Sequence, residues 1–141
     1  MFYEGIKVRL GANTRQDIHK TTVTGLAGVK YIDKVLDKKE HDSPGNELKF
    51  ESMIDRVYKS FPQDTTSILY EGKPMFDIVR DNLSDTVIWN PFREGAEAIG
   101  DFEPKDGYKT MVCVEAGAVN GWTTLEAGDG FEAGQIIKSH I

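Results

Sequence analysis

Hydrophobic and polar positions alternate with the two-residue period of a strand along much of this chain. Over 2–10, Ile6, Val8 and Leu10 share one side and Lys7 and Arg9 the other, the pattern of a half-buried strand. Residues 18–24 and 29–36 give two further strands about a turn, where Gly25 and Gly28 supply the positive φ that such a connection needs. Residues 48–61 and 67–80 continue the pattern, broken at Pro62 and at Gly72 to Pro74. A short strand over 86–90 is stopped by Pro91. Residues 93–99 fit one or two helical turns, and 108–116 and 131–138 read as the last strands. The charged stretch 37–47, with Pro44-Gly45, reads as an exposed loop. Short strands at regular spacing, separated by Gly and Pro turns, predict an all-β fold, an antiparallel β-sandwich. Val and Ile, 21 residues against 15 of Ala and Leu, favour strands over helices.

Composition narrows the partners more than the fold. At 141 residues one domain with a modest core is expected. The net charge is -6, and the 17 bases form neither a stripe nor an aromatic-basic pattern, so no nucleic-acid partner is expected. No run of 18 apolar residues marks a membrane-spanning helix. The first ten residues lack the charged and apolar regions of a signal peptide. The single cysteine, Cys113, cannot form an intramolecular disulfide and suits a reducing compartment, so a cytoplasmic location is expected. His19, His41 and His140 are scattered, no His/Cys/Asp cluster has metal-ligand spacing, and no Gly-rich phosphate loop is present. Neither a metal nor another cofactor is expected.

The run Met111 to Val119 carries the most informative residue. Alternation puts Met111, Cys113 and Glu115 on one face and Val112, Val114 and Ala116 on the other. An ionised carboxylate in so apolar a run is costly to bury without a partner. Glu115 is therefore either a strand-end acid accepting turn amides near Gly117, or a general base whose proton affinity burial has raised. The apolar neighbours of Cys113 argue for an inert core thiol. Asp55, in Met53 to Tyr58, reads on its own as a surface acid paired with a nearby base. Trp89 reads as core more readily than as a sugar platform. Asn90 reads as a turn residue before Pro91, and Asp85 as a cap for the same loop.

Four ordered blocks resemble the glucose-6-phosphate 1-epimerases, the hexose-6-phosphate mutarotases of the aldose 1-epimerase-like superfamily. They are Gly25 to Val35, similar to GLxGxxYxDKV; Asp55-Arg56-Val57-Tyr58, similar to TDRVY; Asp85 to Phe92, similar to DTVVWNPW; and Cys113 to Gly117, similar to CVEPG. The resemblance implies part of the galactose mutarotase-like supersandwich and a hexose 6-phosphate or related sugar as partner. It implies Glu115 as catalytic base and Asp55 as the substrate-binding acid that takes hydrogen bonds from sugar hydroxyls. Ala116 stands where the family has Pro, and Ile54 where it has Thr.

The resemblance covers 16–141, as the C-terminal portion of the mutarotase-like domain, behind a divergent leader strand over 1–15. The family's catalytic acid is a His on the strand before the segment matched by Gln16-Asp17-Ile18, and an ungapped match puts Leu10 there. His19 is the nearest alternative in sequence, and the pattern does not favour it. The family's first half, with its basic phosphate-binding residues, has no counterpart. Strongly reduced activity is expected, with a non-catalytic sugar-binding or interaction protein, or an incomplete product of a longer epimerase gene, as alternatives. Unpaired sheet edges are expected to drive self-association, with Met111 to Val114 and Thr86 to Trp89 as the exposed core segments.

Overall fold

The computed structural model describes the backbone at residues 2–3 and 6–9 and whole residues over 17–141. Among the described residues, antiparallel strands form two sheets. The first sheet contains β1 (Phe2–Tyr3), β2 (Ile6–Arg9), β4 (Lys30–Asp33), β5 (Glu40–Asp42), β7 (Ile54–Lys59), β10 (Asp85–Asn90) and β11 (Met111–Ala118). Its order is β1-β11-β10-β7-β4-β5, with β2 pairing β11 along the same edge as β1. The second contains β3 (Thr21–Thr24), β6 (Glu47–Lys49), β8 (Thr65–Tyr70), β9 (Lys73–Asp81) and β12 (Gly134–Ser139), ordered β12-β9-β8-β3-β6. The all-β sandwich expected from the alternation is what forms.

The core lies between the sheets. Val112, Val114 and Ala116 of β11 face it, as do Ile88 and Tyr58, against Val23, Ile68 and Ile78 of the second sheet. Local chemistry sets the turns. Gly25 has φ 93, and a Cβ there would stand 2.7 Å from the Thr65 carbonyl oxygen, so only glycine fits without displacement. Glu71 and Gly72, both with positive φ, make the two-residue hairpin between β8 and β9.

Several boundaries differ from the sequence reading. Ile18–Lys20 is a 3-10 turn held by Asp17, which accepts from the His19 amide at 3.0 Å. Residues 34–38 leave β4 in a turn, where a longer strand was expected. The stretch 37–47 is not all loop: Glu40–Asp42 forms β5, which among the described residues is an outer strand paired with β4. Its charges, which read as loop chemistry, protect a sheet edge. The helix (α1) spans Phe92–Ala98. No helix is long and apolar enough to cross a membrane among the described residues.

The segments expected to be exposed are covered. Met111 to Val114 and Thr86 to Ile88 are buried, because β2 and β7 flank them and the second sheet covers their inner side. Exposed large apolar side chains lie elsewhere, at Leu36, Trp122, Ile136, Ile137 and Ile141 among others. The side chains of 2–10 and the boundary near residue 15 fall outside the described residues.

Candidate functional site

Three adjacent strands build the site. β10 runs between β7 and β11, and its register fixes both carboxylates. Trp89 pairs with Asp55 on one side and Cys113 on the other; Val87 pairs with Val57 and Glu115. The intervening row Arg56, Ile88, Val114 turns toward the core. Asp55 and Glu115 therefore stand on the same outward face, two strands apart and one two-residue step along. Two strand spacings and one such step put their Cα atoms roughly 12 Å apart, close enough for one pyranose between the side chains.

The floor between them is apolar. Val57 and Val87 are each 8% exposed, and Trp89 is half-buried in the same face. The sequence weighed Trp89 as core; the pleat instead turns it outward, into the row that carries Asp55. Cys113, also in that row, is buried, as expected of an inert thiol.

The electrostatics separate the two acids. Burial of the half-buried Glu115 pushes its carboxyl above the usual carboxylate range; Asp55 adds to the rise and Lys34 opposes it. Asp55 is instead paired, its Oδ2 lying 3.1 Å from Lys34 Nζ. One acid is thus suited to take a proton, and the other is held by a neighbouring cation. Lys34, which lies inside the Gly25 to Val35 block, is brought to this pair by the fold and was not singled out from the sequence.

None of the three histidines is placed at Glu115. The His19 ring lies 3.2 Å from the Phe50 carbonyl oxygen and edge-on to Phe92. His41 pairs with Asp37 at 2.9 Å and His140 with Asp77 at 2.8 Å. Leu10, matched to the family's acid, lies outside the described residues.

The motif around β10 organises its ends. Asn90 is fully buried; its Nδ2 donates to the carbonyls of Tyr108 and Met111, and its Oδ1 accepts from the Phe92 amide at 2.8 Å. It is a turn residue, as read, and also a clamp between β10 and β11. Asp85 caps a different place from that expected. Its carboxylate accepts from the amides of Ser60, Val119 and Asn120. The larger of two described cavities, about 1020 Å³, includes His19, Phe92, Arg93, Tyr108 and Lys109, and neither Glu115 nor Asp55 lines it. The carboxylate face remains the candidate site, because it joins a proton-seeking acid to a paired one over an apolar floor.

Comparison with known proteins shows what the chain is similar to. Over 125 residues, 89% of this chain, the sequence is 36% identical to "Putative glucose-6-phosphate 1-epimerase" of Cenchrus ciliaris. This chain is a relative of the glucose-6-phosphate 1-epimerases. A protein of the same name from Escherichia coli K12 is 40% identical over 100 residues, 70% of this chain. The chain spans 37% and 33% of the length of these two relatives. That partial cover fits a match to the C-terminal portion of the epimerases. No family model matches. A crystal structure titled as a putative mutarotase from Salmonella typhimurium superposes with a TM-score of 0.63 at 36% identity, over 72% of this chain and 34% of that one. A second solved structure, 20% identical with a TM-score of 0.65, shares the fold over 87% of this chain and 42% of its own. These neighbours carry the mutarotase-like β-sandwich assignment.

Proposed function

We propose that this chain carries the base and the sugar-orienting acid of a hexose-6-phosphate 1-epimerase, an isomerase that interconverts α and β anomers. The observation that supports the reading is the placement of Asp55 and Glu115 on one face of the β7-β10-β11 ladder. Glu115 removes the anomeric hydroxyl proton while an acid protonates the ring oxygen. The ring opens, the C1–C2 bond rotates, and closure on the other carbonyl face gives the other anomer. Asp55 accepts hydrogen bonds from sugar hydroxyls. No step of this sequence requires a metal or redox cofactor. The buried thiol of Cys113 suits a cytoplasmic setting.

With no histidine at Glu115, exchange is expected to run below that of a full-length relative, by up to the ~10²–10⁴-fold that a general acid contributes. Exchange spectroscopy of glucose 6-phosphate anomers measures this, and a rate equal to the relative's contradicts it. The same observation favours a second reading, a sugar-binding protein that leaves the anomers unchanged. Saturation-transfer contacts without anomer exchange identify that case.

Self-association is a further expected outcome. β12 lies at the edge of its sheet, and its Ile136 and Ile137 are 58% and 44% exposed. Edge strands with apolar side chains pair readily with other chains. Sedimentation is expected to show a concentration-dependent dimer that Ile137→Lys weakens. A monomer at all concentrations contradicts this.

A further inference from the structure

The turn after β4 holds a cation beside the two carboxylates, and it is unusually well anchored for a surface turn. Asp33 is buried, and its Oδ1 accepts from the amides of Val35 and Leu36 at 3.1 and 2.9 Å. Its Oδ2 accepts from Arg56 Nε at 2.9 Å, and that guanidinium lies 4.5 Å from the centre of the Tyr31 ring. The Lys38 amide closes the turn onto the Asp33 carbonyl at 2.8 Å. Between these anchors the Lys34 amide donates to the Asp55 carbonyl at 2.9 Å, so the backbone of Lys34 is fixed to β7 at the residue its side chain also meets.

Asp33 and Lys34 divide the work by alternation. Asp33 faces inward to Arg56, and Lys34 stands over the outward face that carries Asp55 and Glu115. The ammonium is half exposed, whereas Asp55 is 22% exposed, so the cation is the more open member of the pair. An ordinary surface ion pair needs no such anchoring and is worth little.

We propose that Lys34 is the proton donor at the ring oxygen in this chain, standing in for the family's histidine and aimed by Asp55. The inference rests on the proposed epimerase reading and deepens it. Glu115 takes the proton of the anomeric hydroxyl, whose O–H electron pair becomes the second C–O bond of the aldehyde as the bond from C1 to the ring oxygen breaks. The ring oxygen takes a proton from Lys34 Nζ, which leaves a neutral amine. After rotation about C1–C2 the ring hydroxyl returns its proton to the amine, and Glu115 returns its own to the new anomeric oxygen. Atoms and charges balance with no further reactant. The field of Lys34 also reaches Glu115, where it opposes the rise in proton affinity. The three groups thus form one electrostatic unit.

The test compares the unmutated chain with Lys34→Met and Lys34→Arg, reading anomer exchange and binding of glucose 6-phosphate by NMR, with backbone spectra to confirm folding. Arginine keeps the positive charge and gives up a proton far less readily. Both variants are expected to lose ~10²-fold or more of the exchange rate, in the range of a lost general acid. Lys34→Arg is expected to keep sugar binding. Exchange in Lys34→Arg close to that of the unmutated chain assigns the effect to charge alone and overturns the donor role. Exchange in Lys34→Met close to that of the unmutated chain removes Lys34 from the reaction and leaves the epimerase reading standing. No exchange in the unmutated chain overturns the epimerase reading and the donor role together.

Discussion

Glu115→Gln is expected to remove anomer exchange, by ~10²–10⁴-fold, while leaving the sheet intact. The amide keeps the shape of the side chain and loses its basicity. The same variant has a signature in stability. The folded state holds the Glu115 proton more tightly than the unfolded chain, because burial raises the carboxyl above its ordinary value. Between the ordinary and the raised value, the folded state binds more protons than the unfolded one. Stability therefore falls as pH rises through that window: this contribution is fully present below the ordinary value and lost as pH passes the raised one. Glu115→Gln removes this dependence and is expected to be no less stable than the parent at neutral pH. Anomer exchange and thermal melts across pH check both parts. Retained exchange removes Glu115 from the chemistry, and an unchanged pH slope removes the account of its proton affinity.

Asp85→Ala is expected to be the most damaging single change to the fold. The residue is 1% exposed and its carboxylate accepts three backbone amides, two of them at 2.8 Å. Those amides lie after β7 and just beyond β11, so Asp85 ties the start of β10 to the ends of both its neighbours. Alanine leaves three donors without acceptors. Each unsatisfied buried donor costs about 1–3 kcal/mol, so a loss of about 3 kcal/mol or more is expected from partly buried groups. Domain stabilities are ~5–15 kcal/mol, so this is a large share. Urea unfolding measures it. A loss below about 1 kcal/mol, the worth of one ordinary hydrogen bond, contradicts the clamp.

How much was legible in the sequence depended on the range of the interaction. Alternation in Met111 to Ala116 identified which side chains of β11 face the core, because the pleat is a local property. Gly25 and Gly28 announced their turn for the same reason. The charges of Glu40 to Asp42 misled, since a protected edge strand and a loop share that composition. Trp89 was weighed toward core because its size is visible in the sequence, whereas its direction depends on the β10 register. The joining of Asp55 to Glu115 was invisible to periodicity: 60 positions separate them, and β10 alone aligns them. The family blocks supplied the pair, and the blocks also contain Lys34, whose role depends on a turn that only the packing of Asp33 and Arg56 defines.

The proposed site requires one sugar to touch both Asp55 and Glu115. Carboxyl ¹³C resonances of the two residues, followed during a titration with glucose 6-phosphate, test it most directly. Both are expected to shift along one common binding curve, and Asp55→Asn is expected to weaken the curve seen at Glu115. A shift at one carboxyl while the other stays still, at saturating sugar, contradicts it.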